Sequence, residues 1–489
     1  MAKILLINPN KWGRGITHIW IPTHTSVLRE AGHQVKLFDC SFYADWTVNE
    51  VAFNTENEMY KKSDYDKKIE YLKSNITEDL QKFIDDYEPD FLFWSALSSH
   101  IHGEGEYVNI QYGYSLLETI STTAKKVAGG LQVTGELTNV YKHFNNVDYF
   151  ISGESEIILK ELIDNVVNNG DIKNVDGIIY KDNDDKVVMN DRQPIIENLD
   201  VIPHYDYSVF DNQVFLRPYN GRVVRAVDYE LSRGCIYACE YCVETVIQAY
   251  YGFDEVAQGT GTIRNSRKYL RHKSAERIFS EMNQLHNELG IELFRCQDTN
   301  FLTIDRKTLN ELSDMIHKSN LNIILYIETR PEGINESSIK LLKKLKVDGV
   351  GMGIEISTQD FREEKLKRFA DQKKIIKAFR LLRDNNIKRT AYNIIGLPEQ
   401  DEDSILDTIK FNRLLQPDNM TVAFYSPYIG TAQQIKGNEL GYFDDYEYHV
   451  DSALRSLSQH SLVDVEKLKF YKKNFVNFVK NGIPQNIEC

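Results

Sequence analysis

Cysteine is scarce in this chain, with six residues in 489, at positions 40, 235, 239, 242, 296 and 489. Three are clustered and three scattered, which excludes the disulfide framework of a small secreted domain. Long apolar runs are also missing. None approaches the roughly 20 residues of a membrane-spanning helix, and the opening Met1-Ala2-Lys3-Ile4-Leu5-Leu6-Ile7 is too short for a signal peptide and reads as a first strand. Positive charge is in deficit. Lys and Arg number 58 against 72 Asp and Glu, a formal net charge of −14, which disfavours generic binding to nucleic acid. The twelve histidines form no H-E-x-x-H or paired ligand spacing, and Gly103-Glu104-Gly105 and Gly259-Thr260-Gly261 lack the context of a phosphate loop. The expectation is a cytoplasmic protein without a membrane span, 42% hydrophobic and long enough for two or three domains.

Residues 1–195 alternate short apolar runs with helical patterns. Strands are expected at 3–8, 35–38, 90–95, 126–128 and 147–151, and helices at 21–31, 114–125 and 154–169. That rhythm predicts a doubly wound parallel sheet with its binding edge at the carboxyl ends of the strands. Residues 41–80 read as an insertion with some helix. A hairpin follows at 177–189 around the polar turn Lys181-Asp182-Asn183-Asp184-Asp185, then a linker over 196–225. From a strand at 226–231 the rhythm restarts. Further strands are expected at 292–296, 322–327, 349–354, 389–395 and 420–425, with helices at 274–289, 306–318, 336–345, 373–385 and 402–414. Six strand–helix units predict an open, partial (β/α)6 barrel over 226–430 with its site at the strand carboxyl ends. Residues 431–489 read as a small, mainly helical segment.

The strongest motif is Cys235-Ile236-Tyr237-Ala238-Cys239-Glu240-Tyr241-Cys242. Three thiolates at C-x3-C-x2-C spacing hold three corners of a [4Fe–4S] cubane, and the missing fourth leaves one iron open to a small molecule. A structural zinc site is the alternative, but it wants four ligands and no nearby cysteine supplies another. Cys296 is read as a core thiol, with a redox partner as the alternative.

The motif, with Tyr241 before its last cysteine, resembles the signature of the radical S-adenosylmethionine (SAM) superfamily. Supporting runs follow in order: Gln297-Asp298-Thr299-Asn300-Phe301, Glu328-Thr329-Arg330, Gly353-Ile354-Glu355-Ile356-Ser357, Asn393-Ile394-Ile395-Gly396-Leu397-Pro398-Glu399 and Tyr425-Ser426-Pro427-Tyr428. The resemblance implies an open iron that chelates SAM, whose reductive cleavage gives a 5′-deoxyadenosyl radical, with Cys235, Cys239 and Cys242 as the cluster ligands. By the same resemblance Glu355 and Ser357 would meet the ribose or methionyl group, and Arg368 the carboxylate. Tyr241 and the Ile395-Gly396 backbone would flank the adenine, and Glu328 and Arg330 would complete the strand-end contacts.

The first 200 residues resemble the cobalamin-binding domain of a large radical SAM subgroup. The matching points are Asn8-Pro9, Leu28 to Gly32 with His33, Ser95, Gly129-Gly130 with Thr134, and Gly153-Glu154 with Glu156. Asn8, Pro9, Ser95, Gly129, Gly130, Gly153 and Glu154 are the implied cobalamin contacts. One departure stands out. Where histidine-ligating cobalamin domains carry D-x-H-x-x-G, this chain reads Asn8-Pro9-Asn10-Lys11-Trp12-Gly13, with no imidazole. His100 and His102 lie on the expected corrin side as loop residues or approaches to cobalt.

The function implied is a cobalamin-dependent radical SAM methyltransferase acting on an unactivated carbon. Ring formation, oxidation or carbon–carbon coupling without methyl transfer is the alternative, and a non-catalytic cobalamin or SAM sensor a second. The partners implied are a small-molecule or peptide substrate and a reductant such as flavodoxin or ferredoxin.

Overall fold

The computed structural model describes residues 1–96, 106–257, 259–425, 428–442 and 461–485. Two seven-stranded sheets organise them. The first contains β1 (Lys3–Asn8), β2 (Gln34–Asp39), β3 (Phe91–Ala96), β4 (Lys125–Gly130), β5 (Tyr149–Ile151), β6 (Ile178–Lys181) and β7 (Val187–Met189), in the order β2-β1-β3-β4-β5-β6-β7. β1 to β5 run parallel, as the alternating pattern predicts. The hairpin β6–β7 continues the same sheet antiparallel, pairing Tyr149 with Tyr180. One helix differs from expectation. It spans Glu106–Leu117 rather than 114–125. The Ser- and Thr-rich residues 118–124 turn away instead, since short hydroxyl side chains compete with the helical backbone, and Lys125 already belongs to β4.

The second sheet is built from β8 (Leu216–Tyr219), β9 (Arg222–Tyr229), β12 (Leu293–Cys296), β13 (Ile324–Glu328), β14 (Val347–Glu355), β15 (Lys388–Ile395) and β16 (Asn419–Phe424). The two-residue strands β10 (Ser232–Arg233) and β11 (Arg271–His272) pair as a separate ribbon beside the cysteine loop. β9 and β12 to β16 are the six expected parallel strands. β8 lies antiparallel on the β9 edge, from within the stretch 196–225.

Local sequence sets these elements. Ser274 accepts the Arg277 amide and starts the helix Ala275–Leu289, and Gly290 at φ +65° ends it. Ala275, Ile278, Met282 and Leu285 form its buried stripe, where a fully buried Ile or Met contributes about 1.5–3 kcal/mol. On β14, Val350, Met352 and Ile354 are buried in the core beneath the helices, while Gly349, Gly351 and Gly353 occupy the alternate positions facing the lumen. One hydrophobic core runs through both sheets, from Phe93 and Ile151 to Tyr207, Val227 and Tyr229. Thr17 ties the halves together, its amide and hydroxyl both donating to Asp228 at 3.0 Å. Among the described residues no helix is long and apolar enough to cross a membrane.

Candidate active site

The cysteine loop leaves the sheet just after β9 and is fixed at both ends. Asp298, following β12, accepts the amides of Leu231 and Ser232 and the Ser232 hydroxyl. Gly234 sits at φ +94°, where a Cβ would lie 2.7 Å from the Tyr269 carbonyl, so only glycine fits the bend. Further on, Glu244 accepts the Cys235 amide and the Tyr269 hydroxyl, and Gln248 donates to the carbonyls of Cys235 and Tyr237, each at 2.9 Å. These anchors place Cys235, Cys239 and Cys242 on the wall of one cavity. Burial pushes the Cys235 thiol up to about 12 and raises that of Cys242 as well, so iron must displace their protons. Among the described residues no three His, Cys, Asp or Glu could hold a single metal ion, and Cys40 and Cys296 are buried in the cores. Three thiols around one cavity, without a fourth cysteine beside them among the described residues, suit a cubane with an open corner better than tetrahedral zinc.

The opposite walls come from the carboxyl ends of β13 to β16. Tyr241 donates to Glu355 at 3.0 Å, and Arg368 lies 3.8 Å from Glu355 while donating to the Gly353 carbonyl at 2.7 Å. Glu355 has φ +60° at a register shift between β14 and β15. A non-glycine residue there stores about 1–3 kcal/mol of strain, which aims its carboxyl into the cavity. Burial raises the Glu355 pKa. Glu328 accepts the Tyr392 hydroxyl at 3.0 Å, and burial pushes its pKa up to about 8. Arg330 stacks 3.8 Å over the Tyr237 ring, pairs with Glu332 at 2.6 Å and points a nitrogen at the Cys239 sulfur, 3.8 Å away.

Five of the expected residues (Tyr241, Glu328, Arg330, Glu355 and Arg368) therefore share a cavity with the cysteines. Three do not line it. Ser357 is buried against Thr408, which its amide meets at 3.0 Å. Ile395 is in the core, and Gly396 donates to Gln400 at 2.7 Å; Asn393 and Ile394 line the cavity instead. Sequence reading also missed Tyr237 and Tyr392. The signal for a roomy wall was present in Gly349-Val350-Gly351-Met352-Gly353, whose period-two glycines leave the lumen side of β14 bare.

A second cavity lies between the two sheets, lined by Thr134 of the helix Leu131–Glu136, by Gly153 and Glu154 after β5, and by Arg233, Gly234 and Arg271 of the second half. Glu154 is engaged by Arg271 at 2.9 Å and Arg233 at 3.4 Å, and Gly153 packs beneath Tyr251. His24 also faces this cavity, but one ring nitrogen meets Ser155 at 3.0 Å and the other the Trp20 carbonyl at 2.6 Å, and burial lowers its pKa to about 3. Along the same sheet edge Ser95 is fully buried and its hydroxyl meets no partner among the described residues, nor do the buried carbonyl oxygens of the Asn8 and Gln132 side chains. Gly129 lies beside Ser95, and Gly130 has φ +112°. Pro9 is buried next to Asn8. Unmet polar atoms beside bare glycines suit a large group with a hydrogen-bonding periphery, such as a corrin. His100 and His102 lie outside the described residues.

Leu131, directly after Gly130, packs in one apolar cluster with Cys242, Val243 and Val246. The carboxyl edge of the first sheet thus abuts the cysteine loop.

Residues 229–411 match the model of the radical SAM superfamily. An uncharacterized methyltransferase of Pyrococcus horikoshii is 26% identical over 364 residues, covering 74% of this chain and 72% of the relative. An anaerobic magnesium-protoporphyrin IX monomethyl ester cyclase of Rubrivivax gelatinosus is 23% identical over 421 residues, covering 84% and 70%. The radical SAM methyltransferase TsrM of Kitasatospora setae, solved with cobalamin and a [4Fe–4S] cluster, superposes with a TM-score of 0.65 at 16% identity, over 90% of this chain and 75% of its own. The cobalamin-dependent radical enzyme OxsB gives a TM-score of 0.58 at 14% identity, over 99% and 63%. Over residues 229–411 this chain is similar to the radical SAM superfamily, and its fold is similar to that of the cobalamin-dependent enzymes TsrM and OxsB.

Proposed function

We propose that the chain is a cobalamin-dependent radical SAM enzyme that adds a methyl group to an unactivated carbon of a small-molecule or peptide substrate. The observation carrying this reading is the packing of Leu131 against Cys242 and Val243, which brings the glycine edge of the first sheet onto the cysteine cavity. When bound, a [4Fe–4S] cluster, SAM and cobalamin supply an electron, a hydrogen-abstracting radical and a methyl carrier.

The chain's own residues bind and orient. Cys235, Cys239 and Cys242 hold the cluster. Arg368 offers its guanidinium to a carboxylate, and Glu355, aligned by Tyr241, accepts from hydroxyl or ammonium groups. Arg330 places positive charge 3.8 Å from the Cys239 sulfur. Ser95, Gly129 and Gly130 offer a corrin close approach and a hydrogen-bonding hydroxyl. The buried walls exclude water, which protects a radical from quenching.

Anaerobic reconstitution with iron, sulfide and cobalamin, followed by dithionite, SAM and candidate substrates, tests the reading. S-adenosylhomocysteine and 5′-deoxyadenosine in equal amounts support methyl transfer. The likeness to the magnesium-protoporphyrin ester cyclase favours a second reading, ring formation without methyl transfer, for which 5′-deoxyadenosine would form alone. An intact cluster that releases neither product would leave a cobalamin- or SAM-binding sensor. A reductant of the flavodoxin or ferredoxin class would replace dithionite in the cell.

A further inference from the structure

The cavity between the two sheets has walls of different origin. Trp20 enters from the first turn of the helix Trp20–Glu30, and Gln297 from the chain leaving β12. Trp20 is 3% exposed, its ring held edge-on by Phe93 and His24 at 5.7 and 5.9 Å between centroids. Its Nε1 donor meets no partner among the described residues. Gln297 is 7% exposed. Its amide nitrogen donates at 2.8 Å to Asp228, which is not part of the cavity wall, so the oxygen is the end left to the cavity. That oxygen meets no partner among the described residues either.

The polar side chains around them are spoken for. His24 uses both ring nitrogens, the Thr134 hydroxyl bonds Gly130 and Gly153, and the Thr299 hydroxyl donates to the Gly234 carbonyl at 2.9 Å. Arg233 and Arg271 are held by Glu154, Glu156 and Glu230. With Glu244, four carboxyl groups face two guanidinium groups, a balance that disfavours an anion. The walls therefore leave open one N–H donor and one carbonyl acceptor, both buried. Such groups are costly to leave unmet, and a contact that only joined the domains would pair them or replace them with apolar atoms. An uncharged ligand must accept from Trp20 and donate to Gln297. A primary carboxamide does both, from two atoms of one planar group.

We propose that this cavity holds a primary carboxamide, its oxygen accepting from Trp20 Nε1 and its amino group donating to the Gln297 oxygen. Two sources share that chemistry. One is an acetamide or propionamide arm of a corrin, which rests on the cobalamin reading above. The other is a carboxamide of the substrate.

The test uses full-length, cluster-loaded protein with isotope-labelled indole nitrogens. Its four tryptophans give four side-chain N–H resonances, and Trp20→Phe identifies one by its loss while keeping a ring against Phe93. The probes are propionamide, propanol, propionate and hydroxocobalamin. Propionamide should move the Trp20 resonance downfield and saturably, as a new hydrogen bond does, and propanol and propionate should not. Gln297→Met, which keeps the indole reporter, should weaken propionamide binding about fivefold, the worth of one neutral hydrogen bond. Because Gln297 also bonds Asp228, that variant could fail to fold, and the wild-type titration decides without it. If hydroxocobalamin moves the same resonance and displaces propionamide, the corrin is the source. If it co-elutes with the protein yet leaves the resonance alone while propionamide moves it, the substrate is. Failure of hydroxocobalamin to bind, with the propionamide response intact, sinks the cobalamin reading and leaves the carboxamide site standing. A resonance unmoved by both propionamide and hydroxocobalamin, or moved equally by propanol, overturns the proposal and leaves ordered water in the cavity.

Discussion

Tyr241 and Glu355 are 114 positions apart in sequence and joined by a 3.0 Å hydrogen bond across the cysteine cavity. The bond links the cluster loop to the strained end of β14, so the loop's position and the carboxyl's aim are set together. Tyr241→Phe should leave iron content unchanged and weaken SAM binding about tenfold, the usual worth of a hydrogen bond to a charged group. Equilibrium dialysis with SAM, alongside an iron assay, checks both halves.

The three clustered thiols and the core thiol should part company on substitution. Cys239→Ala is expected to lose the cubane and all release of 5′-deoxyadenosine while the far-ultraviolet circular dichroism stays native. Cys296→Ala should keep its iron and lose only stability, because that side chain is 1% exposed within the core. Iron and sulfide counts on both variants decide the point.

Gly353 marks where the cavity cannot take even a methyl group. A Cβ there would collide with the Glu355 carboxyl and lie 2.9 Å from Arg368 Nη2. Gly353→Ala should fold, since no positive φ is required, yet displace both charged groups and abolish detectable SAM binding. Unaltered SAM affinity would show that this pair does not hold the cofactor.

Glu328 gives the apo-protein a pH signature. Its folded pKa is raised to about 8 by burial, above the value near 4.3 of an unfolded glutamate. Between those values the folded state holds a proton that the unfolded state has lost, so the contribution to stability falls as pH rises through that window. Glu328→Gln should flatten the decline between about pH 5 and pH 8. Denaturant midpoints across that range for both proteins provide the comparison.

The domains are joined by a buried ion network. Arg233 reaches Glu156, lies 2.8 Å from Glu230 and is 3.4 Å from Glu154, and its side chain is 14% exposed. Arg233→Met strands carboxylates from both domains and should cost about 3–5 kcal/mol. Adding Glu156→Gln should restore part of that loss, which urea unfolding of the two variants measures.

Much of this was legible in the sequence because it depends on local pattern. Cysteine spacing marked the cluster loop, and strand–helix alternation located β12 to β16 within a few residues. The helices Ala275–Leu289 and Glu336–Lys344 fall within a residue of the ranges read from the sequence. What escaped depends on contacts distant in sequence. Ser357 looked like a cofactor ligand beside Glu355, but the register shift after Gly353 turns it towards Thr408. Glu154 matched a cofactor motif, whereas its carboxylate pairs with arginines some 80 and 117 positions further on.

The bare face of β14 carries a design rule for this barrel. A Cβ on Gly349 would lie 2.8 Å from the Tyr326 ring, and one on Gly351 2.6 Å from the Tyr392 hydroxyl, so large rings on neighbouring strands occupy the room that the glycines vacate. Enlarging either glycine should be tolerated only when the facing tyrosine shrinks. Paired exchanges of that kind are therefore the natural way to widen or narrow the lumen while the outer helices keep their packing.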